Sequence, residues 1–192
     1  MSDLSADLAQ AYETRVAATD VELTPAAIRS VVRALGGGEG RKQIAAGNKE
    51  LASQLGISVR TVQRWQKEGG QGEARSVARS TPGLRISVRG IATAQQRAAN
   101  ARAFREQAQE QGLDVAPCRV MVKVYNEDRP RPRNIGPQHI GGDELTEALD
   151  ALEAGDAAGA AKAFGDTWLH AYGMDEVDAD ITDVVGTFGL GV

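Results

Sequence analysis

A single cysteine in 192 residues, Cys118, excludes an internal disulfide framework. With His139 and His170 as the only histidines, there is no ligand set for a structural zinc either. Cys118 lies in an alternating apolar run and reads as a buried strand residue before it reads as a reactive thiol. No apolar run approaches the length of a membrane span, and the first residues, MSDLSADLAQ, lack the basic and apolar regions of a signal peptide. A cytoplasmic protein with no membrane partner is expected. Catalytic patterns are also missing. GGGEGRKQ lacks the spacing of a phosphate loop and follows no buried strand, and no Ser/His/Asp arrangement appears. His170, beside Trp168 and Tyr172, reads as a packing residue rather than a general base. Asp175, Glu176, Asp178, Asp180 and Asp183 lack the glycine and terminal glutamate of a calcium loop and read as a solvated turn. Neither an enzyme nor a cofactor is expected.

Net charge is modest, at −4, but it is strongly partitioned. Residues 1–28 carry one basic and five acidic side chains, residues 29–133 carry 20 and nine, and residues 134–192 carry one and 12. The basic block suits phosphate, and the acidic remainder suits self-association, a basic partner or tempering of non-specific binding.

Within the basic block, Asn48 to Lys67, NKELASQLGISVRTVQRWQK, reads as a helix-turn-helix. Ala52 is the small residue where two helices touch, and Gly56 supplies the left-handed residue that ends the first. Leu51, Leu55, Ile57, Val59, Val62 and Trp65 are spaced to share one core, with Trp65 a core wedge rather than a base-stacking residue. Ser58 caps the second helix, and Gly69-Gly70 ends it. Ser58, Arg60, Thr61, Gln63, Arg64 and Lys67 are then the candidate DNA contacts, because such side chains hydrogen-bond to base edges and phosphates in a major groove.

Around the motif, residues 3–18 form an amphipathic helix through Leu4, Leu8, Tyr12 and Val16, either a dimerisation arm or a packing helix. Thr24-Pro25 starts a helix that runs to Leu35 and stops at three glycines, and Arg41 to Ala46 suits a short separate helix. Glu73 to Arg79 suits a helix bearing two further phosphate contacts, Arg75 and Arg79. Ser80 to Gly83 breaks the chain, and the alternation of Leu84 to Arg89 suits either a wing strand or a plain connecting loop. A helix from Ile91 to Gln111 carries Arg97, Arg102 and Arg105 away from its small-residue seam, on a face that either tracks phosphates or is simply solvated. Cys118 to Tyr125 is an amphipathic strand. In the exposed segment NEDRPRPRN, two prolines forbid helix, and Arg129, Arg131 and Arg133 project either into a minor groove or into solvent. Ile135 to Ile140 suits a strand, Asp143 to Ala154 and Ala157 to Tyr172 suit helices, and Ile181 to Leu190 a last strand.

The expected fold is α+β, an all-helical reader followed by a module of about three strands and two helices. The expected divisions are 1–20, 21–79, 80–115 and 116–192. LASQLGISVRTVQRWQK, the arginine-bearing helix, the strand, and ELTEALDALEAGDAAGAAKAF with its Glu153-Ala154-Gly155 corner resemble the telomere-associated terminal proteins of actinobacterial linear chromosomes and plasmids, over roughly residues 28–190. The resemblance implies binding to replicon ends and a side-chain hydroxyl that primes replication. NEDRPRPRNIGPQ holds no serine or threonine, leaving Tyr125 as the nearest hydroxyl, a residue its strand position also explains. The sequence therefore suits a sequence-specific binder of double-stranded DNA acting in replication, maintenance or regulation of a mobile or linear replicon, with a covalent terminal protein and a repressor with a C-terminal oligomerisation module as alternatives. A second copy of the chain, as a homodimer, and a replication protein held by the acidic module are the further partners the sequence allows.

Overall fold

The computed structural model describes residues 3–18, 21–68, 72–115, 118–124, 128–135, 138–140, 142–171, 179–185 and 190–191. The chain forms two units, residues 18–99, and residues 1–17 together with 100–192. The expected division at 79/80 therefore falls within a unit, and the N-terminal helix belongs with the distant acidic module. Helices dominate, and the described strands are short and antiparallel, giving an α+β chain.

In the 18–99 unit, α2 (Pro25–Gly36) begins as its sequence dictates, with Thr24 Oγ1 accepting from Ala27 N at 3.1 Å and Pro25 in the first turn. α3 (Arg41–Leu55) is one continuous helix, so the separate helix expected over 41–46 is the first half of this one. Gly47 explains how α3 lies against α2. A Cβ there would stand 1.9 Å from the Val32 carbonyl oxygen, so the two backbones meet where only glycine fits. α4 (Val59–Lys67) and α5 (Arg75–Ala78) follow, and then α6 (Pro82–Gln111), which gives residues 82–99 to this unit and the rest to the other. Leu23, Ile28, Val32, Leu51, Val62, Trp65, Val77, Val88 and Ala92 make the core.

Neither reading of residues 84–89, as wing or as loop, survives, because the segment is the start of α6. Its alternation came from Ile86, which is 72% exposed, while Val88 and Ala92 are buried four residues apart as a helix requires. Thr81 and Pro82 repeat the Thr24-Pro25 start, with Thr81 Oγ1 accepting from Leu84 N at 3.4 Å.

In the other unit, α1 (Leu4–Val16) buries Leu4, Leu8, Tyr12 and Val16, and it packs on α8 (Ala157–Ala171) and β5 (Ala179–Val185), as a packing helix does. Among the described residues, two three-stranded sheets stand where about three strands were expected. One runs β4-β1-β6, from Gln138–Ile140, Leu113–Val115 and Leu190–Gly191, and the other runs β3-β2-β5, with β3 (Arg131–Ile135) and β2 (Cys118–Val124). β1 had no anticipated counterpart, and the expected single last strand is two, β5 and β6. Val120 and Val122 of β2 face a core shared with α7 (Gly142–Ala154), where Leu145, Leu149, Phe164 and Trp168 are buried. Phe164 and Trp168 meet edge to face at 4.9 Å, and Tyr12 meets Phe104 at 6.0 Å. None of the helices of the described residues is long and apolar enough to cross a membrane.

Candidate nucleic-acid interface

α4 is set by the turn that precedes it. Gly56 ends α3 at φ +63, Ile57 N then donates back to the Ala52 carbonyl at 3.0 Å, and Ser58 Oγ accepts from Thr61 N at 3.2 Å. A left-handed φ here strains any residue with a Cβ, so glycine fixes the angle at which α4 leaves α3. Val62 and Trp65 are fully buried, and Ala52 and Leu51 are buried beside them in the same core.

A polar clamp holds the far end of α4. Asn48 of α3, the one buried polar residue among the described side chains, accepts through Oδ1 from Gln66 Nε2 at 2.5 Å. Arg29 of α2 donates to the Gln66 carbonyl at 2.6 Å, where the helix has run out of its own donors. Glu68, just past α4, accepts from the backbone N of Ser76 at 3.0 Å and from its hydroxyl, which ties α4 to α5. These Ser76 hydrogen bonds, with Arg64 and Arg75 nearby, hold the Glu68 carboxyl below the usual range. Asn48 and Gln66 were missed as functional positions in the sequence. The signal was present, since Gln66 stands four residues from Val62, on the inward side of the helix.

With one side so fixed, α4 presents Val59, Arg60, Gln63, Arg64 and Lys67 to solvent. At about 100° per residue they span an arc of roughly 140°. The arc holds three cations and no carboxylate. Two candidates differ from that pattern. Ser58 and Thr61 lie with their hydroxyl oxygens 2.9 Å apart, joined in the cap, and Thr61 is half-buried. Val59, expected in the core, is instead 37% exposed, because the first helical position falls outside the buried side that Val62 and Trp65 define.

Nine of the candidate contacts, the six of the motif with Arg75, Arg79 and Arg97, lie in the 18–99 unit, and the other five lie outside it. Arg75 and Arg79 are exposed on and just after α5, which packs on α4, and Arg97 is exposed on α6. Arg102 is exposed, but Arg105 is committed elsewhere, pairing with Asp150 at 2.5 Å and Glu153 at 2.9 Å. Those two carboxylates raise its guanidinium further above its usual range, and the phosphate contact expected of it is withdrawn. Arg129 is exposed ahead of β3, and Arg131 and Arg133 are exposed on β3 itself, in register with Val122 and Val120. The irregular arm is thus partly an edge strand. Its prolines are compatible with that, since an edge strand need not donate on its outer side. Tyr125 and the acidic run 175–178 lie outside the described residues, as does the side chain of His170.

Charge is partitioned between the units as it is between the sequence blocks, though less sharply. Residues 18–99 hold 13 basic and six acidic side chains, a net of +7, and the other unit holds nine and 20, a net of −11. The exposed arc of α4 therefore sits in a locally positive unit of a negative chain. Arg60 and Arg64 are bidentate donors and Lys67 a point-charge donor, a chemistry that suits an anion. The chain matches no protein-family model, no curated protein and no solved structure.

Proposed function

We propose that the chain is a non-enzymatic, sequence-specific binder of double-stranded DNA, with α3, the Gly56 turn and α4 acting as a helix-turn-helix whose second helix enters the major groove. The observation that carries this reading is the two-sidedness of α4. Its inner side is fixed by Val62, Trp65 and the Asn48–Gln66 hydrogen bond, and its outer side is an arc of Val59, Arg60, Gln63, Arg64 and Lys67 with no acidic residue. Arg60, Gln63 and Arg64 would read base edges, and Lys67, Arg75 and Arg79 would hold phosphates. The net +7 of the surrounding unit supports phosphate attraction.

The process served is proposed to be replication, maintenance or regulation of a linear or mobile replicon, on the strength of the resemblance to terminal proteins. Selection from a random duplex pool tests the binding itself, with an enriched motif expected and a uniform pool overturning it. Recovery of genomic fragments bound to the protein then separates replicon ends from a single origin or from promoters.

A further inference from the structure

The exposed arc of α4 resolves into two rows at helical spacing. Val59 and Gln63 stand four residues apart on one side, and Arg60 and Arg64 four apart on the other. The arginine row is what a helix that pairs with guanine edges would carry. The other row asks for a different explanation, because it pairs an exposed aliphatic side chain with an amide. Val59 is one of two large apolar side chains exposed among the described residues, at 37%. As a β-branched residue it also gains nothing for the helix that an alanine would not supply better.

We infer that Val59 and Gln63 form a reading row for A·T base pairs, in which the Val59 methyls pack on the C5-methyl of a thymine and the Gln63 amide bonds the edge of an adenine in the neighbouring step. This rests on the DNA-binding reading above. In the major groove thymine is the one base that presents a methyl group, and adenine presents the acceptor and donor pair, N7 and N6, that an amide matches. Val59 lies at the N-terminal end of α4, the end that reaches base edges when a recognition helix lies in the groove. Four residues of helix advance about 6 Å, within reach of adjacent base pairs.

The test replaces thymine by uracil, which removes the methyl and leaves Watson–Crick pairing intact. A duplex motif is first selected from a random pool with the full chain, and uracil is then substituted at each thymine in turn. The expected result is one position where uracil weakens wild-type binding about fourfold, the worth of one buried methyl-sized group. Val59→Ala should bind the thymine duplex about fourfold more weakly and be indifferent to uracil at that position. Wild-type binding that ignores uracil everywhere, or Val59→Ala that still feels uracil as the wild type does, overturns the inference while leaving DNA binding intact. A pool that yields no motif removes the DNA-binding reading itself.

Discussion

Arg64 and Lys67 share a helix and a charge but not a chemistry. Arg64 presents a planar fork that can pair with one base, whereas Lys67 is a point charge near the helix end, suited to phosphate. Arg64→Ala should therefore flatten the difference between the selected site and a scrambled duplex, costing about 1–3 kcal/mol on the former only. Lys67→Ala should weaken both alike and lower the salt slope by about one, as measured in binding titrations across ionic strength. Glu68 invites a titration experiment. Its carboxyl is held below the usual range by Ser76, so the stabilisation is complete above the ordinary glutamate range and is lost as pH falls through the lowered value. Glu68→Gln should remove that acid-side loss from the stability profile, with the mutant curve flatter than wild type when thermal unfolding is followed from neutral to acid pH.

Among elements, the crossing of α2 and α3 is the most constrained. Gly47→Ala would place a Cβ 1.9 Å from the Val32 carbonyl oxygen, which neither backbone can yield cheaply. A loss of about 3 kcal/mol or more is expected in urea unfolding, because the helices must separate rather than repack a side chain. Arg105 on α6 makes the opposite point. Its two carboxylate partners on α7 are substantially exposed, so Arg105→Ala should cost its unit about 1 kcal/mol or less and leave DNA affinity unchanged by titration, whereas Arg60→Ala should weaken it. The sequence was readable at this scale where the signal is local. Gly56, the Ser58 cap, Val62 and Trp65 define α4 within a dozen residues. Residues 84–89 were not readable, because Leu84, Val88 and Ala92 satisfy helical spacing while Ile86 completes an alternation of period two. The Gly47 crossing was missed because close backbone approach leaves no pattern in hydrophobicity. An edge strand containing Pro132 looked like an arm because pairing with β2 is decided by residues far from the prolines.

For the whole molecule, partnership between distant segments was the illegible part. The stripe Leu4, Leu8, Tyr12 and Val16 announces a helix that needs a partner, but nothing in it points to α8 or β5. Charge was legible as a partition, yet its boundaries moved once the chain folded, from blocks in sequence to a +7 unit and a −11 unit. For a chain of net −4, the proposed affinity for DNA would have to come from local field rather than overall attraction, so binding should weaken as ionic strength rises.

The discontinuous unit also imposes a timetable on synthesis. α1 leaves the ribosome roughly 140 residues before the helix it packs on, a wait of roughly ten to thirty seconds at ordinary elongation rates. Residues 18–99 are meanwhile complete and can fold around their own core. Pulsed proteolysis of stalled nascent chains should find the 18–99 segment protected early and α1 cleavable until the chain has grown past residue 171. Early protection of α1 would mean that Phe104, or a temporary shelter in the nascent chain or a chaperone, covers its apolar side chains before α8 has been made.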